Sequence, residues 1–191
     1  MYCLDPRGKI IWSKSREEVP HGQALWAGNF MPDRSGTEII ILKSGHYGDF
    51  ITVDAVDGSN IAEFQHEAGL KDDQGQRKYP DLPKKINWVD SELDSLWIPV
   101  DRRIVDGYGH TVQELDAYDN KVKNELHCGT SKDRLAAQAI AIDICGDDRE
   151  ELILYQPYHG EKIYIFTQPE SSGFEKEYIH SSSVYNLKSY F

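Results

Sequence analysis

Cysteine is scarce in this chain of 191 residues. The three copies, Cys3, Cys128 and Cys145, are scattered and form no C-x-x-C pair. That pattern argues against a disulfide framework and against a zinc site built on paired thiolates. They read as small buried or half-buried thiols, and nothing nearby marks one as an activated nucleophile. Long apolar runs are missing too. The longest, such as residues 39–42, are a strand's worth, far short of the ~18 residues of a membrane helix. Positive charge is the minority sign: 21 Lys and Arg against 32 Asp and Glu leave a formal charge of −11. A nucleic-acid or anionic-membrane binder needs a basic footprint, so neither partner is expected. The opening Met1-Tyr2-Cys3-Leu4-Asp5-Pro6 does not read as a signal peptide.

Helical periodicity is also sparse. Leu115, Tyr118, Val122 and Leu126, at spacings of three or four, predict one short helix over 116–126. The rest is a series of short β-runs at 24–27, 39–42, 50–53, 96–98, 152–155 and 163–166. Turn pairs separate them: Asp57-Gly58, Asp106-Gly107, His159-Gly160 and Ser172-Gly173. Many short strands with an aromatic content of 11% predict an all-β sandwich, barrel or propeller.

An internal repeat selects among these. Residues 27–41 and 141–154 share one plan: a strand, then Asn or Asp, an acidic and basic turn, and Glu opening an aliphatic strand. A weaker copy spans 86–98. The anchors Asn29, Asn87 and Asp143 stand 58 and 56 residues apart. A glycine turn follows each anchor, at Asp57-Gly58, Tyr108-Gly109 and Ser172-Gly173. About four strands therefore fill each period. Four strands in a repeat of ~40–50 residues describe a β-propeller of four-stranded antiparallel blades.

The segment from Tyr2 to Trp12 matches the stretch beginning at Val53 and reads as the closing hairpin of a preceding blade. The expected organisation is that hairpin within 1–20, then about three blades and a Ser- and Tyr-rich tail over 21–191. Such a partial ring falls short of the ~4–8 blades that close one. The expectation is the C-terminal part of a longer protein lacking its N-terminal blades here, or a ring completed by self-association.

Residues 143–154, Asp-Ile-Cys-Gly-Asp-Asp-Arg-Glu-Glu-Leu-Ile-Leu, resemble the FG-GAP-like blade motif of bacterial rhamnogalacturonan lyases. Residues 27–42 resemble the same blade, and Tyr185-Asn186 with Tyr190-Phe191 is similar to the family's C-terminal end. The resemblance implies a propeller that cleaves the pectin backbone by β-elimination and uses Ca²⁺. It implies an extracellular or periplasmic place if the parent carries a signal peptide. FG-GAP-like blades also build non-catalytic adhesion proteins. The alternatives are therefore a non-catalytic propeller binding carbohydrate or protein, or a truncated fragment without independent activity.

Blade topology sorts the loops into two edges. Loops between first and second strands hold Asn29, Asp33 and Glu38, then Asn87, Asp90, Glu92 and Asp94, then Asp143, Asp147, Asp148 and Glu151. Such oxygen donors suit Ca²⁺, with Asp143, Asp147 and Asp148 as metal candidates. The same residue types also form turns by bonding their own backbone.

The opposite edge collects His21, Lys43, His46, Tyr47, Lys84, Lys85, Arg102, Arg103, Lys132, Arg134, Gln156, Tyr158 and His159. Local positive potential on an acidic protein suits an acidic polysaccharide. β-Elimination needs a base, an acid and a cation against the uronate carboxylate. Lys43, His46, Tyr47, Tyr158 and His159 are the catalytic candidates. His21, Arg102, Lys132 and Arg134 are the substrate-binding ones. Trp26, Trp88 and Trp97 are expected in packing, and Trp12, Tyr47, Tyr108 and Tyr158 against sugar rings.

Overall fold

The computed structural model describes residues 1–44, 48–65, 83–90, 92–99, 101–117, 121, 122, 126, 138–156 and 162–168. Among them lie thirteen strands. They are β1 (Tyr2–Leu4), β2 (Ile10–Ser13), β3 (Ala24–Gly28), β4 (Glu38–Ser44), β5 (Asp49–Asp54), β6 (Asn60–Gln65) and β7 (Lys84–Ile86), then β8 (Ser95–Ile98), β9 (Arg103–Val105), β10 (Thr111–Glu114), β11 (Gln138–Ile142), β12 (Glu151–Tyr155) and β13 (Ile163–Phe166). The all-β expectation holds, and each expected β-run falls in a strand. Of the helix expected over 116–126, residues 116 and 117 form a turn instead, residues 121, 122 and 126 are helical, and the others lie outside the described residues.

The strands form four antiparallel sheets in chain order: β1-β2, β3-β4-β5-β6, β7-β8-β9-β10 and β11-β12-β13. Within each sheet every strand pairs with its sequence neighbour.

Alternation along the strands decides what each sheet faces. In β4 and β5, Ile40, Leu42 and Phe50 point one way, into a core shared with Leu96 and Ile98 of β8 and Val105 of β9. Ile39, Ile41, Ile51 and Val53 point the other way, against Trp12, Cys3 and Val19. In the third sheet Trp97 and Ile104 face a further core with Leu152 and Leu154 of β12. The middle sheets are thus buried on both faces, which explains the near-continuous apolar runs of β4 and β8. Each of these fully buried side chains contributes on the order of 1.5–3 kcal/mol. The result is a stack in which the first sheet covers the second, the second the third, and the third the fourth.

A three-residue reversal recurs at the hairpins. Asp5 accepts the Arg7 and Lys9 amides on Oδ1, and the Gly8 amide donates to the Asp5 carbonyl at 2.9 Å. Asp106 does the same with Tyr108, His110 and Gly109. Asp54 and Gly58 form a version longer by one residue. Gly8, Gly58 and Gly109 all sit at positive φ, at 81°, 73° and 83°. These matching turns account for the likeness between the chain's opening and the segment after Val53.

Two of the turns are covered by an aromatic ring from the preceding sheet. A Cβ at Gly58 would meet the Trp12 indole at 2.6 Å, and one at Gly109 would meet Phe64 at 2.5 Å. Trp12, 8% exposed, also donates its indole N–H to the Ala55 carbonyl at 3.0 Å. It is a packing residue, which corrects its expected place against a sugar ring.

Gly8→Ala and Gly109→Ala carry the same left-handed backbone cost, about 1–2 kcal/mol. Only the second also drives a methyl into Phe64. Urea denaturation is expected to show Gly109→Ala losing at least a further ~1 kcal/mol. Equal losses would contradict the contact between the second and third sheets.

Candidate functional site

The repeat anchors lie where one sheet meets the next. The Asn29 amide donates to Asp94 Oδ2 at 2.8 Å, and the Asp94 amide returns a bond to the Asn29 carbonyl at 2.7 Å. One repeat later, the Asn87 amide donates to Glu150 Oε2 at 2.8 Å, and the Glu150 amide donates to the Asn87 carbonyl at 2.8 Å. Each pair is a reciprocal clamp between consecutive sheets. The acidic partner stands just before the second strand of the following sheet.

The next residue has a different task. Glu38, Ser95 and Glu151 occupy one register position, opposite Gly28, Ile86 and Ile142. Glu38, 1% exposed, accepts the Phe30 amide at 2.9 Å. Glu151, fully buried, accepts the Ile144 and Cys145 amides at 2.8 and 3.2 Å. Both carboxylates close their own loop rather than face a ligand.

Asp143, Asp147 and Asp148 are brought into one loop, as expected, but not as a cage. The Asp143 carboxylate accepts the backbone N–H groups of Gly146, Asp147 and Asp148. Asp147 is held by the Arg149 guanidinium, whose own pKa the Asp147 carboxylate raises. Asp148 adopts a φ of 72°, a conformation Asp tolerates better than most residues. A Ca²⁺ site needs 6–8 oxygen ligands turned toward one point. These residues do not fit that requirement, and among the described residues no group of three or more His, Cys, Asp or Glu side chains could hold a metal ion.

The opposite edge brings His21 and Lys43 side by side, since the His21 amide donates to the Lys43 carbonyl at 3.1 Å. The Lys43 ammonium lies 3.1 Å from Glu63 Oε2. Arg102 is exposed in the turn between β8 and β9, with a φ of 60°. Lys84 opens β7 at the same edge. His46, Tyr47, Lys132, Arg134, Tyr158 and His159 lie outside the described residues.

Three neighbours differ from expectation. The Lys85 side chain reaches the other edge and pairs with Asp94 Oδ1 at 2.9 Å. Arg103, 8% exposed, turns inward onto Asp101 at 2.8 Å and Thr111 at 3.1 Å. Gln156 is buried, with its amide donating to the Leu126 carbonyl.

Tyr108, expected against a sugar, ties two sheets together. Its hydroxyl donates to the Asp33 carboxylate at 3.0 Å, and that bond is the main reason its pKa is raised. Beside it His110 lies 3.3 Å from Asp106 Oδ2, with the two rings 5.6 Å apart. The lone signal of this cluster in the sequence is the Asp-x-x-Gly turn that presents it. Cys3 is half-buried, but Cys145 is exposed, which corrects its expected burial. Desolvation of the sulfur, then the Glu151 carboxylate, push the Cys145 thiol up, so nothing activates it as a nucleophile.

Asp143→Ala is expected to lower the melting temperature by the same amount in Ca²⁺ and in EDTA, because its partners are backbone amides. A loss confined to the Ca²⁺ condition would restore the metal reading. No protein-family model matches the chain, nor does any curated protein or solved structure.

Proposed function

We propose that the chain is a run of FG-GAP-like propeller blades that serves as a binding module for an acidic polysaccharide. Successive antiparallel meanders, stacked face to face in chain order, are what propeller blades look like in section. The likeness to the blades of rhamnogalacturonan lyases supplies the ligand class. Arg102 is the observation that carries the reading. A non-glycine residue at positive φ costs on the order of 1–3 kcal/mol and persists where the strained conformation serves a purpose. Here it holds an exposed guanidinium at the edge that also presents His21 and Lys43. Guanidinium groups match carboxylates in a two-pronged geometry.

β-Elimination is the second reading: of its catalytic set, Lys43 is the member among the described residues, and its side chain pairs with Glu63 at 3.1 Å.

The test measures binding to rhamnogalacturonan, polygalacturonate and a neutral glucan, with absorbance followed at the unsaturated-uronate band. Binding to the acidic polymers, weakened by salt, is expected without an absorbance rise. Arg102→Gly relieves the backbone strain and removes the cation. It is expected to keep or raise the melting temperature while weakening binding several-fold. Equal binding of the neutral glucan, or unchanged binding by Arg102→Gly, would overturn the proposal. An absorbance rise would replace it with the lyase reading.

A further inference from the structure

The turn that presents Arg102 is built to hold it in place. β8 and β9 stay paired up to Ile98 opposite Arg103, so four residues, 99–102, reverse the chain. Arg102, the last of them, takes the left-handed conformation, which glycine fills at no steric cost and asparagine more readily than arginine. The turn therefore has to impose it. The Arg102 amide donates to the Pro99 carbonyl at 3.3 Å, and the Arg102 carbonyl accepts the Leu115 amide at 2.8 Å. Both backbone groups of the residue are committed, one inside the turn and one to the chain just after β10.

Its two neighbours supply a further hold. Asp101 and Arg103 meet at 2.8 Å, and their side chains are only 1% and 9% exposed. The Arg103 guanidinium also donates to Thr111 Oγ1 of β10 at 3.1 Å. A charge taken out of water must keep its counter-charge, so these two side chains turn inward together. Arg102, between them, is exposed. A buried ion pair adds little stability over apolar side chains of the same volume. What this one adds is geometry, because the turn cannot shift at Arg102 without parting its neighbours.

We propose that Asp101 and Arg103 are positioning residues, whose ion pair fixes the turn so that the Arg102 guanidinium meets a uronate carboxylate in one prepared orientation. The proposal rests on the reading of Arg102 as the cation that binds the polysaccharide. Neither Asp101 nor Arg103 touches the ligand. A guanidinium carried on a fixed turn has less freedom to lose when the ligand arrives, which strengthens binding without a new contact. A two-pronged bond to a carboxylate depends on the angle at which the two planar groups approach, so it is the contact most sensitive to a moving turn. The group recognised is the carboxylate itself. Methyl esterification of the polymer removes that charge and keeps the hydroxyls, so the contribution of all three residues disappears with it.

Calorimetric titration of the full chain with polygalacturonate and with its methyl ester tests this, using Asp101→Asn alone and combined with Arg102→Gly. Asp101→Asn is expected to weaken polygalacturonate binding several-fold in the wild-type background. In the Arg102→Gly background it is expected to change nothing, because no guanidinium remains to be positioned. Binding of the methyl ester is expected to be the same with and without either substitution. Asp101→Asn leaves a buried charge unpaired and can cost the fold, which circular dichroism reports. Thr111→Val removes only the outer hydrogen bond of Arg103 and repeats the test more gently, with a loss of about twofold that again depends on Arg102. Equal losses in both backgrounds would mean a merely structural role and overturn the positioning. So would unchanged binding in both Asp101→Asn and Thr111→Val while Arg102→Gly is weakened, a result that spares the binding reading. Unchanged binding by Arg102→Gly itself would overturn that reading and the proposal with it. A loss of methyl-ester binding in Asp101→Asn as large as that for the acid would overturn recognition of the carboxylate.

Discussion

Ile40 and Ile41 are adjacent in sequence and belong to different cores. That separation is the constraint on which the rest of the structure depends. A strand presents its side chains to two faces in turn. A run such as 39–42 can be buried throughout only when a sheet lies on either side. The second and third sheets satisfy this by sitting inside the stack. Their inner strands carry apolar residues at consecutive positions, while β3, β6 and β10 alternate between half-buried and exposed.

Stacking sheets creates a polar problem at their edges, where loops leave backbone groups without a ladder partner. The acidic residues of the loops solve it. Asp94 and Glu150 bind the preceding sheet, Glu38 and Glu151 close their own loops, and Asp5, Asp54 and Asp106 pin the hairpins. These seven carboxylates, of the 32 acidic residues in the chain, are therefore structural. At the opposite edge Arg102 holds a left-handed backbone conformation with its side chain exposed.

The strands and the repeat were legible in the sequence because apolar runs and glycine turns are local signals. Asn29, Asn87 and Asp143 could be picked out by spacing alone. The clamps at Asn29 and Asn87 could not, because they are made by backbone N–H and C=O groups that every residue carries, with acidic partners 65 and 63 residues away. The sequence misplaces Trp12 for a related reason: the partner that buries it, Gly58, is distant in sequence and has no side chain to announce the contact. Lys85 enters its strand at one edge and acts at the other because its long stem carries the ammonium along the strand to Asp94. Pattern fixes where a residue enters a strand, while long side chains and inter-sheet partners are set by tertiary packing.

The clamps offer the sharpest check on the stack. Asn29, Asn87, Asp94 and Glu150 lie outside the strands, and ordinary loop amides exchange quickly with solvent. If consecutive sheets are joined in chain order, the four amides exchange in deuterated water as slowly as those at the centres of β4 and β8. Exchange at the rate of open loops, with the strand centres still protected, would show sheets that form but do not stack in this way.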